Sequence, residues 1–207
     1  MSSIPVESTD LKKQAAIYGV ILGVISFVLG IITLIIGANA TGIMTVSFVS
    51  ILLVYVVPLV ITCLLAVRLR RQAGGYWDFR TALSHIFIVL AVSVVLSTVG
   101  SKIVSQVMPS LEERAIDNMM NLSIESLESM GFPDEQIDST VEQLEVQKEG
   151  LYTFSFANLI QALAVSLIMY FILALILAAI FKKEQPIFVD DSADNAHPWQ
   201  TPQDPTN

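Results

Sequence analysis

The stretch "AAIYGVILGVISFVLGIITLIIG", residues 15–37, decides the fold. It runs for 23 residues without a charged side chain, and a helix needs about 20 apolar residues to cross the hydrocarbon core of a bilayer. Three further uncharged runs cover residues 43–67, 81–101 and 157–181. Because backbone amides inside lipid must be hydrogen-bonded within their own segment, each run is predicted to be a helix. We therefore expect an all-α polytopic membrane protein with four transmembrane helices.

The overall composition agrees with this expectation. Of the 207 residues, 54% are hydrophobic and 14% are charged, whereas a soluble domain has about 25% charged residues. The net charge of −8 argues against nucleic acid as a partner, because binding to phosphates needs a basic face. The lone cysteine, Cys63, makes neither an internal disulfide nor a cysteine-based metal cage. No catalytic, cofactor-binding or metal-ligand motif stands out, so we predict no such residues and no enzymatic activity.

The first run is not predicted to be a cleaved signal peptide. Residues 38–40, "ANA", have the small-x-small form of a cleavage site. The apolar stretch before them is longer than the roughly 7–15 residues of a signal-peptide core. We therefore expect it to remain as the first transmembrane helix.

The basic residues predict the orientation, because lysine and arginine near the ends of spans favour the cytoplasm. Four spans divide the chain so that eight of its eleven basic residues fall on one side and three on the other. The larger group comprises Lys12, Lys13, Arg68, Arg70, Arg71, Arg80, Lys182 and Lys183. Both termini are thus predicted to be cytoplasmic, with a short N-terminal segment (1–14), a turn (68–80) and a disordered tail (182–207) on that side. The turn 38–42 and the segment 102–156 are predicted to be periplasmic.

The turn 68–80 brings four arginines close to three aromatic residues. We interpret Arg68, Arg70, Arg71 and Arg80 as topological anchors, and we place Trp77, with Tyr76 and Phe79, in the headgroup layer where amphipathic rings collect. A site for an anionic lipid or a phosphate, built from the same arginines, is the functional alternative.

The segment 102–156 is predicted to be an extramembrane amphipathic helical hairpin. Between residues 110 and 150 it carries eleven acidic and two basic side chains, with apolar residues recurring at helical spacing. Ser110 and Glu113 fit a capping box at its start, and Gly131 fits a break between two helices. Such a pair has little core alone, so it must pack on the ends of the spans, a second copy or a partner. The acids are either a solvated face or a surface that docks a partner or a divalent cation.

Small residues form a stripe along the first span at intervals of four and three. In lipid, helices associate by close backbone approach, which small residues permit. The stripe therefore predicts packing against another span, with homodimerisation as the alternative. Its members are Gly19, Gly23, Ser26, Gly30, Thr33 and Gly37.

The third span carries a ladder of hydroxyls at Ser93, Ser97 and Ser101. Such groups bond back to their own helix or join helices together, and a polar transport path is the alternative. No acid or arginine lies at mid-membrane depth, where a proton-coupled pump would need one. In the second span, Pro58 is predicted to produce a kink.

Three segments of the chain resemble one bacterial membrane family. They are "AAIYGVILGVISFVLGII" near the start, "AGGYWDFRTAL" before the third span, and "MPSLEERAIDNMMNLSIESLESMGFPDEQIDSTVEQLE" before the fourth. The family is the one known as domain of unknown function 4199, and the resemblance covers about residues 12–185. It implies a four-span inner-membrane protein with a periplasmic helical insert, and it brings no activity, ligand or catalytic residue.

Three functions remain open from the sequence. The first is a non-enzymatic accessory or assembly subunit of the inner membrane that docks a protein partner or a second copy of itself. The second is a small oligomeric transporter or channel. The third is a membrane enzyme that acts on lipid-linked substrates, with the arginines of 68–80 at a headgroup.

Overall fold

The computed structural model describes residues 8–152 and 156–183, and in those residues every regular element is a helix. The all-α prediction is confirmed. In chain order the helices are α1 (Ser8–Asn39), α2 (Ile43–Ser50), a π-helical segment (Ile51–Val56), α3 (Val57–Gln72), α4 (Phe79–Val107), α5 (Pro109–Ser129), α6 (Asp134–Tyr152) and α7 (Phe156–Phe181).

Four helical stretches are long and apolar enough to cross a membrane, as the sequence predicts. The second of them combines α2, the π-helical segment and α3. The stretches are Asp10–Asn39, Ile43–Gln72, Phe79–Val107 and Phe156–Phe181. The predicted disordered tail covers residues 182–207. Its first two residues are described, and Lys183 is hydrogen-bonded through its backbone to Trp77, so disorder is wrong at that point. Residues 184–207 lie outside the described residues.

The parallel pair α1 and α4 forms the centre of the bundle, and α7 packs against α4. The helix α3 joins α1, α4 and α7 at the end of the bundle that carries Arg68, Arg70, Arg71 and Arg80, which we call the basic end. Most of the core lies in that half, with its largest fully buried side chains including Trp77, Leu22, Leu69, Ile86 and Val89. At the opposite end, the insert end, α1 contacts α5.

The second span changes its helical geometry just before Pro58. Proline has no N–H and crowds the preceding turn of an α-helix, and the span here contains the π-helical segment Ile51–Val56. One turn later, the Thr62 hydroxyl donates a hydrogen bond to the Pro58 carbonyl oxygen at 2.8 Å. The expected disturbance at Pro58 thus takes the form of a π-helical segment, a feature that often marks functional positions.

The insert is a helical hairpin made of α5 and α6, as predicted, although its first cap differs. The prediction of a capping box at Ser110 and Glu113 is wrong. The helix α5 begins at Pro109 with Met108 as its N-cap, and no side chain caps it. Proline suits this first position because the N–H it lacks would have no partner in the helix. Between the two helices, Gly131 has a φ of +75°, a conformation that favours glycine.

The insert packs on the end of α1, which is the first of the three expected arrangements. The Asn118 side-chain amide donates to the carbonyl oxygens of Gly37 and Ala40, both at 2.8 Å. Carbonyls at a helix C-terminus have no partner within the helix, so Asn118 satisfies groups that the end of α1 leaves open. Leu111, Ala115 and Leu122 are buried on the inner face of α5.

Candidate functional site

At the basic end, the turn after α3 is joined to the end of α7 by backbone hydrogen bonds. The N–H of Trp77 donates to the carbonyl oxygen of Lys183, and the N–H of Lys183 donates to that of Trp77, each at 2.7 Å. The Trp77 side chain is only 2% exposed and belongs to the hydrophobic core with residues of α3, α4 and α7. The prediction that Trp77 lies among lipid headgroups is therefore wrong: its indole fills the core where these helices converge.

A buried polar side chain, His85, lies beside this indole. The indole ring lies 5.8 Å from the ring of His85, whose Nδ1 is 2.7 Å from the carbonyl oxygen of Thr81. In the described part of the chain, three buried side-chain atoms have no hydrogen-bond partner: Trp77 Nε1, His85 Nε2 and Gln72 Oε1. Buried polar groups nearly always have a partner, so this corner of the basic end is unusual. No sequence pattern predicts this cluster beyond the polar residues themselves.

The four arginines fall into two pairs. The guanidinium of Arg68 lies 5.9 Å from the ring centre of Tyr18, and Arg70 Nη1 donates to the Phe181 carbonyl oxygen at 3.5 Å. Arg68 and Arg70 therefore contact neighbouring helices, although Arg68 is itself exposed, as are Arg71 and Arg80. Their role as topological anchors stays a prediction.

The stripe of small residues on α1 serves two different purposes. A Cβ added to Gly19 would lie 2.7 Å from Val92 Cβ and 2.8 Å from the Val89 carbonyl oxygen. At Gly23 the nearest atoms of α4 would be 3.0 Å away. This half of the stripe lets α1 and α4 approach closely, as predicted.

The other half of the stripe makes no close approach to a span at its glycines. A Cβ on Gly37 would meet Ala115 of the insert at an ordinary 3.8 Å, and a Cβ on Gly30 would meet nothing within 4 Å. Ser26 lines a cleft, and Gly30 and Thr33 line a cavity described below. The prediction of helix packing along the whole stripe is therefore wrong for its second half. Another close approach of α4 to α1 lies outside the stripe, at Gly100, where an added Cβ would lie 2.6 Å from the Phe27 ring.

The serine ladder of α4 bonds mainly to its own helix. The Ser97 hydroxyl donates to the Val94 carbonyl oxygen at 3.2 Å, and the Ser101 hydroxyl donates to that of Ser97 at 2.9 Å. Ser93 is buried and lines a different cavity from Ser101. Among the described residues the three serines do not line one continuous path, which favours the structural interpretation over the transport path.

A cleft of about 230 Å³ lies among all four spans. Its lining includes the π-helical residues Val54 and Tyr55, together with Pro58. Apolar residues predominate, but side chains with hydroxyl groups also border the cleft: Ser26, Tyr55, Thr62, Ser93 and Tyr170.

A larger cavity, of about 390 Å³, lies at the insert end, where α1 and the second span meet the insert. We call it the insert cavity. Its size falls within the roughly 300–1,000 Å³ of ligand-binding pockets. The lining is mainly apolar, with the hydroxyls of three residues and the Lys148 ammonium as exceptions. It comprises Gly30, Thr33, Leu34, Gly37, Val46, Ser50, Val54, Ala115, Ile116, Met119, Met120, Ser123, Leu144 and Lys148.

The outer surface of the insert is acidic. Lys148 pairs with Asp117 between α6 and α5, while eight other carboxylates are exposed: Glu113, Glu125, Glu128, Asp134, Glu135, Asp138, Glu142 and Glu145. In residues 8–152 and 156–183, no three His, Cys, Asp or Glu side chains are grouped as metal ligands. At the tip, between the two helices, Met130 is 69% exposed and Phe132 is 40% exposed. The sequence predicts this tip only as a break between helices, and no pattern in it predicts the exposed apolar pair.

The fold and these surfaces define a class: a multi-pass helical membrane protein with a helical insert docked on one end of its bundle. The chain belongs to the family described as Protein of unknown function (DUF4199), whose profile matches residues 17–183. The family resemblance found in the sequence is thereby confirmed. No curated protein and no solved structure matches the chain.

Proposed function

We propose that the chain is a non-enzymatic protein of the bacterial inner membrane that docks a protein partner through the tip of its insert. In this proposal both termini are cytoplasmic and the insert is periplasmic. The observation that carries it is the pair Met130 and Phe132, which is exposed at the tip. Methionine and phenylalanine are enriched at protein–protein interfaces.

The charges around the tip favour a basic partner. Exposed carboxylates of Glu128, Asp134 and Glu135 lie next to the apolar pair in the chain. Charge complementarity steers association and excludes wrong partners. Two copies of the insert, each carrying a surplus of nine acidic residues between positions 110 and 150, would repel each other. A different protein with a basic rim around an apolar pocket is therefore a better partner for the tip than a second copy.

The anchoring of the insert supports a docking role as well. Asn118 holds α5 to the end of α1 through two hydrogen bonds, and Lys148 holds α6 to α5. An interface on a segment that is already ordered loses less conformational entropy when it binds. The hairpin thus presents its tip at a fixed place relative to the spans.

The test is purification of the full chain from native membranes in mild detergent, with associated proteins identified by mass spectrometry. The double variant Met130→Ser and Phe132→Ser should lose the partner, while Val146→Ser should keep it. Val146 is a matched control because it is an exposed apolar residue of α6 away from the tip. Association should also weaken at high salt, which screens exposed charges. A partner list that is the same for the tip variant and the wild type would overturn the proposal.

A further inference from the structure

We propose that the insert cavity is a binding site for one acyl chain of a membrane phospholipid. The cavity is walled on one side by Gly30 and Leu34 of α1 and by Val54 of the second span, and on the other by Met119 and Leu144 of the insert. It therefore lies where a transmembrane surface meets an extramembrane one. The inference is independent of the partner proposed for the tip.

The depth of the cavity matches that of lipid tails. Gly30 precedes Gly37 by seven residues, which is about 10 Å along a helix at 1.5 Å per residue. Both glycines lie in the uncharged run 15–37 and both line the cavity. Gly30 and Val54 are exposed at the surface of the bundle, so the cavity opens sideways at the level of the spans. A lipid tail can enter from the bilayer without crossing a polar region.

Neither water nor a side chain of the described bundle suits this space. A buried water needs two to four polar partners, whereas most of the lining is apolar. An empty cavity loses the van der Waals contacts of its walls. The C-terminal segment of the chain is also a poor occupant, because Lys183, which precedes it, lies beside Trp77 at the other end of the bundle. The bilayer itself supplies the apolar chain nearest to the opening.

Two features of the walls fit a flexible chain with a charged head. Met119 and Met120 have unbranched side chains that adapt to irregular apolar partners. Lys148 is the only cationic side chain among the lining residues and lies at the insert side of the cavity, paired with Asp117. A tail that enters between the spans thus has its head near the Lys148–Asp117 ion pair, and lysine is a common ligand of phosphate.

The experiment reconstitutes the full chain into phosphatidylethanolamine vesicles that contain a phospholipid with a photoreactive acyl chain. After irradiation, mass spectrometry maps the modified peptides. We expect peptides of the insert cavity, above all the one with Met119 and Met120, to be modified more than the lipid-facing outer half of α7. Such labelling is not expected from random contact with lipid, because Met119 and Met120 belong to the insert.

The variant Gly30→Leu fills the cavity, since a Cβ at that position meets nothing within 4 Å. It should reduce labelling of the cavity peptides to the level of α7. The control Ala164→Leu introduces the same side chain at an exposed position of α7 and should leave the labelling unchanged. Met119→Trp is a second filling variant, should Gly30→Leu fail to fold.

Three results would overturn the proposal. One is cavity labelling no higher than that of α7 in the wild type, and another is labelling that both filling variants leave intact. The third is loss of cavity labelling when free palmitate is added as a small fraction of the phosphatidylethanolamine already present, which would assign the site to a fatty acid instead.

Discussion

The close approach of α1 and α4 at Gly19 makes the sharpest stability prediction. In Gly19→Ala the new Cβ would lie 2.7 Å from Val92 Cβ and 2.8 Å from the Val89 carbonyl oxygen, whereas ordinary contact begins at 3.4 Å. The helices must therefore separate by about 0.7 Å, a gap set by those distances, and the backbone oxygen cannot rotate out of the way. Overpacking of this kind costs about 1–3 kcal/mol.

Helix propensity opposes part of this cost. Alanine is favoured over glycine within a helix by about 1 kcal/mol, so Gly19→Ala should lower the free energy of unfolding by up to about 2 kcal/mol. Gly30→Ala makes the same chemical change in the same helix, but its Cβ meets nothing within 4 Å. It should leave stability unchanged or raise it by up to about 1 kcal/mol. Gly23→Ala, with contacts of 3.0 Å, should lie between the two.

The assay is equilibrium unfolding of the purified protein in detergent micelles, followed by circular dichroism. The expected order of stability is Gly30→Ala, then Gly23→Ala, then Gly19→Ala. Equal midpoints for Gly19→Ala and Gly30→Ala would refute the packing of α1 on α4 at this position. A greater loss in Gly30→Ala than in Gly19→Ala would refute it as well.

Three further changes test other contacts. Trp77→Ala removes a core indole that is 2% exposed and should destabilise the protein by about 3–5 kcal/mol, whereas Trp77→Phe should cost less, as measured by the same unfolding assay. Asn118→Ala removes two hydrogen bonds from the end of α1. It should speed amide hydrogen exchange in α5, while exchange in α7 stays the same. Unchanged exchange in α5 would contradict the docking of the insert on α1. Hydrogen bonds from Thr81 hold the pKa of the Asp78 carboxyl below its ordinary value of 3.8. A lowered carboxyl pKa stabilises the folded state at pH values above the unfolded-state pKa. This contribution to stability should therefore fade as the pH falls below about 4. Asp78→Ala should remove that pH dependence and cost about 1 kcal/mol as a lost N-cap, and an identical pH profile in the variant would argue against the cap.

The helical architecture could be predicted because the bilayer restricts the possibilities so strongly. A run of 23 uncharged residues has few stable conformations other than a helix inside lipid, and the recurring apolar residues of 110–150 predict amphipathic helices in the same way. Gly131 marked the break between α5 and α6 because few other residues adopt a positive φ.

The sequence could not show which helix faces which, and the errors follow from that. Gly19 and Gly30 belong to one stripe, yet only Gly19 faces α4, since the facing surface depends on tertiary packing. Trp77 lies among arginines in the sequence, but the fold brings Lys183 beside it and closes the core over its indole. The capping box failed because Pro109 starts α5 one residue earlier than Ser110.

The insert cavity had no signature in the sequence for the same reason. Its walls come from α1, the second span, α5 and α6, segments as far apart as Gly30 and Lys148. A cavity is a gap between surfaces, and a pattern along one helix does not record it. The glycines of α1 were the only sequence feature connected with the cavity, and the same glycines also fit ordinary packing between helices.

The most direct test of the central claim is the side of the membrane on which the insert lies. Cys63 is the only cysteine, so Cys63→Ala provides a background for single cysteines at the exposed positions Ser129 and Asp10. With the outer membrane made permeable, a maleimide that cannot cross the inner membrane should label Ser129→Cys in intact cells. It should label Asp10→Cys only after lysis. Labelling of Asp10→Cys but not Ser129→Cys in intact cells would contradict the account, as would equal labelling of both.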